Sequence, residues 1–246
     1  MKRFFAIIPL LAAFAAVAQY MPVKEGQVLK FDVMERADVK AGFEKGTATV
    51  TVTSVETSAD GSSMTANVKE HKTISSEKSP EDTNSTYTFN PETKLTTYVM
   101  MTAEDFKATI MNVMREMAEQ AGQYVSPQDM EEMSKMLKPK GNLEIPLPEA
   151  PEAEASFPTS SIRMSLPGQS AGVKAAKGKY LGMEELETSA GKFNCLKLTY
   201  VLAPIGQGVD NYVTEWYATN LGLVKQVVAD KKGNTLFEQT ISSISE

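Results

Sequence analysis

Hydrophobic and polar side chains alternate in two long blocks of this chain, and one stretch of helical periodicity separates the blocks. In residues 27–34, Leu29, Phe31 and Val33 fall on one side and Lys30 and Asp32 on the other, the pattern of a strand with one buried and one wet face. Residues 48–55 and 63–74 carry the Thr and Val enrichment of strands and flank the turn Ser58-Ala59-Asp60-Gly61. Residues 86–89 and 95–101 flank Asn90-Pro91-Glu92-Thr93, which predicts a second hairpin. The later block repeats the pattern over 180–187, 193–202, 212–217, 223–229 and 235–241, with Gly- and Asn-containing turns at 189–192, 220–222 and 230–234. Two antiparallel meanders follow, without a sequence repeat that relates them.

The interruption opens at Thr102. Phe106, Ile110, Val113, Met114 and Met117 recur at helical spacing, and Thr102 with Asp105 forms a capping-box start. A second helix opens at Ser126, with Pro127 at its first position and Asp129 three residues on. It carries Met130, Met133, Met136 and Leu137 on one stripe. Gly122 separates the two helices, and Pro139 and Gly141 end the pair. Residues 145–158 hold Pro146, Pro148, Pro151 and Pro158, which predicts a loop or an extended crossing. The expected fold is mainly β: a strongly curved antiparallel sheet or half-barrel, or two packed meanders, with an inserted Met-rich helical hairpin at about residues 102–138.

Composition narrows the function classes. With 246 residues and 42% hydrophobic side chains the chain can bury a domain-sized core, while a net charge of -6 argues against a nucleic-acid footprint. One cysteine allows no internal disulfide, and one histidine removes most triads and zinc sites. Lys2 and Arg3, an apolar run over residues 4–17 and the small-residue end Ala16-Val17-Ala18 read as a signal peptide cleaved after Ala18. The apolar stretch is shorter than the roughly 20 residues a spanning helix needs. A periplasmic or secreted protein is expected, with residues 19–246 as one mainly-β domain and no transmembrane segment after cleavage.

The run Ser189-Ala190-Gly191-Lys192-Phe193-Asn194-Cys195-Leu196-Lys197-Leu198, followed by Glu215-Trp216-Tyr217-Ala218 and Gly222-Leu223-Val224-Lys225, resembles the closing signature of the TapB-like exported proteins, a domain-of-unknown-function family of bacterial envelopes. The opening Tyr20-Met21-Pro22-Val23-Lys24-Glu25-Gly26 is similar to the start of that family. The resemblance implies an exported, mainly β protein and supplies no catalytic residues. Physically the signature is architectural: Gly191 and Gly222 let the chain turn, and Phe193 and Cys195 share a strand face opposite Leu196, Leu198 and Tyr200.

Methionine is the unusual residue. Eight of the 14 lie between Met100 and Met136, and Met-x-x-Met-x-x-Met runs place thioethers on one face of each helix. They suit adaptable core packing, a flexible surface for an apolar ligand or partner peptide, or a Cu(I) site. His71 has no second His or Cys beside it, and Cys195 sits among apolar residues without a base, so each reads as structural. Glu185 and Glu187 share a strand face from which Glu184 points away. A carboxylate pair acting on a glycan is therefore the weaker account of this cluster. No phosphate-binding glycine loop or nucleophile elbow is present.

The reading is a non-catalytic envelope protein without metal or cofactor. It would bind an apolar ligand or an envelope protein through Met111, Met114, Met117, Met130, Met133, Met136 and Trp216. The alternatives are a structural or interaction module, a glycan-acting hydrolase using Glu184 or Glu185, and a Cu(I) binder.

Overall fold

A computed structural model describes residues 19–36, 39–75, 81–166, 169–205 and 208–246. The signal-peptide reading concerns residues 1–18 and lies outside them. The first meander comprises β1 (Val28–Glu35), β2 (Glu44–Thr57), β3 (Met64–Ile74), β4 (Glu81–Asn90) and β5 (Leu95–Met101). Two helices follow, α1 (Ala103–Gln120) and α2 (Pro127–Met136), and then β6 (Leu143–Pro148), β7 (Ser156–Phe157) and β8 (Ser160–Leu166). The second meander is β9 (Gln169–Thr188), β10 (Gly191–Pro204), β11 (Asn211–Ala218), β12 (Gly222–Ala229) and β13 (Thr235–Ser245). Both helices start as the sequence predicts. The hydroxyls of Thr102 and Ser126 accept from the backbone N–H groups of Asp105 and Asp129, whose carboxylates accept in return from the cap N–H.

The meanders join into one sheet, in the order β6-β5-β4-β3-β2-β1-β13-β12-β11-β10-β9-β7, with β8 on β9. The join is the antiparallel pair β1/β13, where Leu29 faces Ile244 and Val33 faces Gln239. The sheet curls into a nearly closed barrel with the two helices inserted between strands, so the mainly β, strongly curved reading holds.

The loop or extended crossing expected over 145–158 is extended in part and contains two strands, β6 and β7. Leu143, Ile145 and Leu147 alternate into the core, and β6 pairs along β5 despite its prolines. Pro146 and Pro148 share the parity of Glu144, whose backbone N–H and C=O both face away from β5, so neither proline removes a bond from the β5 ladder. β8 and the first half of β9 were not expected as strands.

The far edges of the sheet meet along a seam. Lys140 and Arg163 exchange backbone hydrogen bonds of 2.8 and 3.0 Å. Ser160 Oγ accepts from the Glu144 N–H (3.0 Å) and donates to the Glu144 carbonyl (2.8 Å), as a facing backbone would. Tyr180 Oη donates to the Pro146 carbonyl at 3.0 Å. Side chains therefore complete a circumference that backbone pairing alone leaves open.

Candidate functional site

The barrel interior is not uniformly apolar. Alternation along β11 puts Val213 and Glu215 on one face, and Glu215 is fully buried. Its carboxylate accepts from Tyr217 Oη (2.8 Å), Gln226 Nε2 (2.7 Å) and Tyr200 Oη (3.1 Å). Burial still dominates and raises the Glu215 pKa against these bonds. Around it stand Tyr87, Tyr98, Tyr200 and Tyr217. Tyr87 and Tyr98 stack at 4.5 Å, Tyr98 meets Tyr217 edge-on at 6.0 Å, and burial raises the pKa of all four phenols.

Above this cluster lies a cavity of about 350 Å³ between the sheet and the N-terminal half of α1. Tyr98, Met100, Met101 and Leu223 form its apolar side; Glu70, Thr83, Gln226 and Gln239 form a polar floor, and Asp105, Ala108 and Thr109 of α1 line the opposite, partly open side. A smaller hollow of about 140 Å³ adjoins it across Glu70, Thr83, Gln226 and Gln239, and reaches Lys72. Glu215 thus fixes the floor from below through Gln226. Gln239 is 4% exposed and its Oε1 has no hydrogen-bond partner. Burial raises the pKa of Glu70, with Lys72 opposing the shift. A more open hollow of about 500 Å³ lies among Asp32, Met34, Lys45, Glu238 and Thr240, whose side chains largely face solvent.

The cavity draws few of the residues the sequence singles out. Phe106 is buried, and Ile110 and Met111 pack against the core. Beyond them α1 turns outward: Met114 is exposed, and so is Met117 at 64%. Met130 and Met133 are half-buried, and Met136 is 71% exposed. The methionines that line the cavity are Met100 and Met101, at the end of β5. Trp216 lies on the face of β11 opposite Glu215. The ammoniums of Lys197 and Lys225 sit 5.0 and 5.6 Å from its ring, and its Nε1–H donates to Glu184 at 3.2 Å. This contrast gives a stability prediction. Phe106→Ala should cost about 3 kcal/mol and Met117→Lys less than about 0.5 kcal/mol in urea unfolding.

The carboxylates of β9 do not converge. Glu184 accepts from Lys197 Nζ at 2.7 Å, which together with the Trp216 bond holds its carboxyl low, whereas Glu185 and Glu187 pair with Lys192 in solvent. Cys195 is fully buried, with its thiol pushed up to about 12 by burial, and His71 is an exposed strand residue 2.6 Å from Asp82. Among the described residues no three His, Cys, Asp or Glu side chains group to hold a metal, and no helix is long and apolar enough to cross a membrane.

Glu70, Glu215, Gln226 and Gln239 escape sequence reading. Glu70 and Gln239 sit between polar residues of their strands, and all four look solvent-facing until the sheet closes. The one signal present was a glutamate inside Glu215-Trp216-Tyr217, an otherwise apolar stretch of strand.

Two solved structures share the whole architecture. One, from Parabacteroides distasonis and described as a "putative lipoprotein", superposes with a TM-score of 0.61 at 17% identity, covering 92% of this chain and 98% of its own. The other, from Bacteroides fragilis and described as a "putative exported protein" with a YmcC-like fold, gives 0.60 at 16% identity, covering 93% and 100%. At these identities the likeness is one of fold. No curated protein matches the chain. The expectation of a domain-of-unknown-function family holds, although the match does not bear the TapB-like name. A family model covers residues 24–240, nearly the whole described chain, and by that match the protein belongs to the DUF3108-like family.

Proposed function

We propose that this protein is a non-catalytic binding protein of the bacterial envelope that holds a small ligand between the barrel interior and α1. The observation that carries the reading is the 350 Å³ cavity, which has one apolar wall and a polar floor containing a buried amide oxygen without a partner. Its volume is at the lower end of small-molecule sites. The mixed lining suits an amphiphilic ligand, which refines the apolar ligand expected from the methionines. Separation of Glu184 from Glu185 and Glu187 supports binding over glycan hydrolysis. An envelope or secreted location is supported by the signal-peptide reading and by the descriptions of the two proteins that share the fold. The TapB-like resemblance of the C-terminal block belongs to the same reading.

Native mass spectrometry of the protein purified from its own periplasm tests this. The expected result is a retained small-molecule mass that is lost from Ala108→Trp, a variant that fills the α1 side of the cavity from an exposed position. Wild-type protein carrying no adduct, or an adduct that persists in Ala108→Trp, would refute the cavity as the binding site. A second reading, an interaction module, draws on the exposed apolar side chains Met117, Tyr124 and Met136 of the helical segment.

A further inference from the structure

The chemistry of the cavity specifies the charge of its occupant. Three acidic residues line it, Glu70, Asp82 and Asp105, and no lysine or arginine does. Asp82 is already engaged by Lys69 (2.8 Å) and His71 (2.6 Å), and Asp105 is committed to the cap of α1. The cation nearest the floor, Lys72, is held between Glu81 (2.8 Å) and Glu35 (3.2 Å). The Glu70 carboxyl makes no ion pair and no hydrogen bond among the described residues. It lines the same two hollows as Gln239, whose amide oxygen is 96% withdrawn from solvent with its residue and accepts nothing. The Glu70 carboxylate and the orphan Gln239 amide oxygen set two unpartnered acceptors on one floor, beside Thr83 and Gln226, and a buried acceptor left unpaired costs free energy that a donor recovers.

A hard metal ion fits poorly, since it needs six or more oxygens and the three lining carboxylates do not converge on one point. An ammonium group offers three donors and a positive charge to these two acceptors. The alkyl or aryl part behind it would then meet Met100, Met101, Tyr98 and Leu223, with the Tyr98 ring and the methionine sulfurs favouring a cation nearby. We infer that the cavity binds an organic ammonium, a protonated primary amine with a short apolar tail, anchored by Glu70 and Gln239. This inference rests on the binding reading above and adds the ligand class.

The test uses the full mature chain labelled with ¹³C at the methionine methyls, so that the Met100 and Met101 resonances report occupancy. Three probes of equal length are titrated at pH 7: hexylammonium, hexanol and hexanoate. The expected result is saturable movement of the Met100 and Met101 signals by hexylammonium, at least tenfold tighter than by hexanol, with hexanoate inactive. Glu70→Gln should weaken hexylammonium about tenfold and leave hexanol unchanged, and Gln239→Leu should weaken hexylammonium several-fold. Undisturbed resonances of the buried core methionines Met21 and Met164 would show that both variants remain folded. Equal binding of hexanol and hexylammonium, or no effect of either substitution, would overturn the ammonium inference while leaving the cavity reading intact. If no probe moves the two signals at millimolar concentration the inference also falls, and the cavity reading is then judged by the native mass spectrum alone.

Discussion

Replacing Glu215 by alanine is expected to destabilise the protein by about 3 kcal/mol, the largest effect of any single polar substitution in the barrel. The carboxylate holds Tyr200, Tyr217 and Gln226 at 2.7 to 3.1 Å in a fully buried setting. Alanine leaves the Tyr217 hydroxyl and the Gln226 amide without an acceptor and the Tyr200 hydroxyl with only the Met100 sulfur at 3.5 Å; each unpaired group costs roughly 1–3 kcal/mol, partly offset by relief of the buried charge. Glu215→Gln keeps the shape and one acceptor and should cost no more than about 1 kcal/mol. The two variants also separate charge from hydrogen bonding. The Glu215 pKa is raised in the folded chain, so the folded state binds a proton that the unfolded state releases. Its ionisation therefore costs nothing below the ordinary carboxylate pKa. The penalty grows as pH rises from there to the raised value, and persists above it. Chemical unfolding across that window should show wild-type stability falling relative to Glu215→Gln as pH rises, with the difference constant at higher pH. A wild-type profile parallel to that of Glu215→Gln would mean the carboxyl is not penalised by burial.

Gly178→Val should cost about 3 kcal/mol for a steric reason. Gly178 pairs with Phe157 across β9 and β7, and a Cβ at position 178 would lie 2.1 to 2.4 Å from three atoms of the Phe157 ring. That ring has no easy escape, because it is 7% exposed, tilted on Tyr180 at 5.1 Å and edge-on to Tyr200 at 6.5 Å. Expelling it forfeits much of what Phe→Ala truncation of a core residue costs, roughly 3–5 kcal/mol. The double variant Phe157→Ala/Gly178→Val should be more stable than the sum of the two single losses predicts, since the clash is gone. A near-neutral Gly178→Val would show that the ring has room to move. Tyr180 also holds the seam through Pro146, so amide exchange at Lys140 and Arg163 should accelerate in Gly178→Val.

These sites differ in how far the sequence exposes them. The caps of both helices are readable because the signal is local: a hydroxyl residue and an aspartate three positions on. The strands of the first meander are readable because one face stays wet, so Lys30 and Asp32 mark the alternation. β6 is masked by Pro146 and Pro148, whose tolerance depends on which way the backbone faces in the finished sheet. Residues 169–179 are rich in Ala, Gly and Lys, with weak intrinsic strand preference, and become a strand through partners on both sides. The methionine stripes correctly indicate helices and say less about what those faces meet, because α1 packs on the core only in its first half. Glu70 and Gln239 acquire meaning only when distant strands curl around them, a long-range event with no local trace.

The prolines of β6 carry one more consequence. Where the rims of the sheet meet, Pro146 and Pro148 present carbonyls but no N–H groups, and beyond the Lys140/Arg163 backbone pair the Ser160 and Tyr180 hydroxyls stand in for a strand. If that join parts during thermal motion, the uncovered rim has too few donors to recruit an extended segment from a neighbouring molecule. The barrel can thus breathe at its weakest line without offering itself as a template for polymerisation.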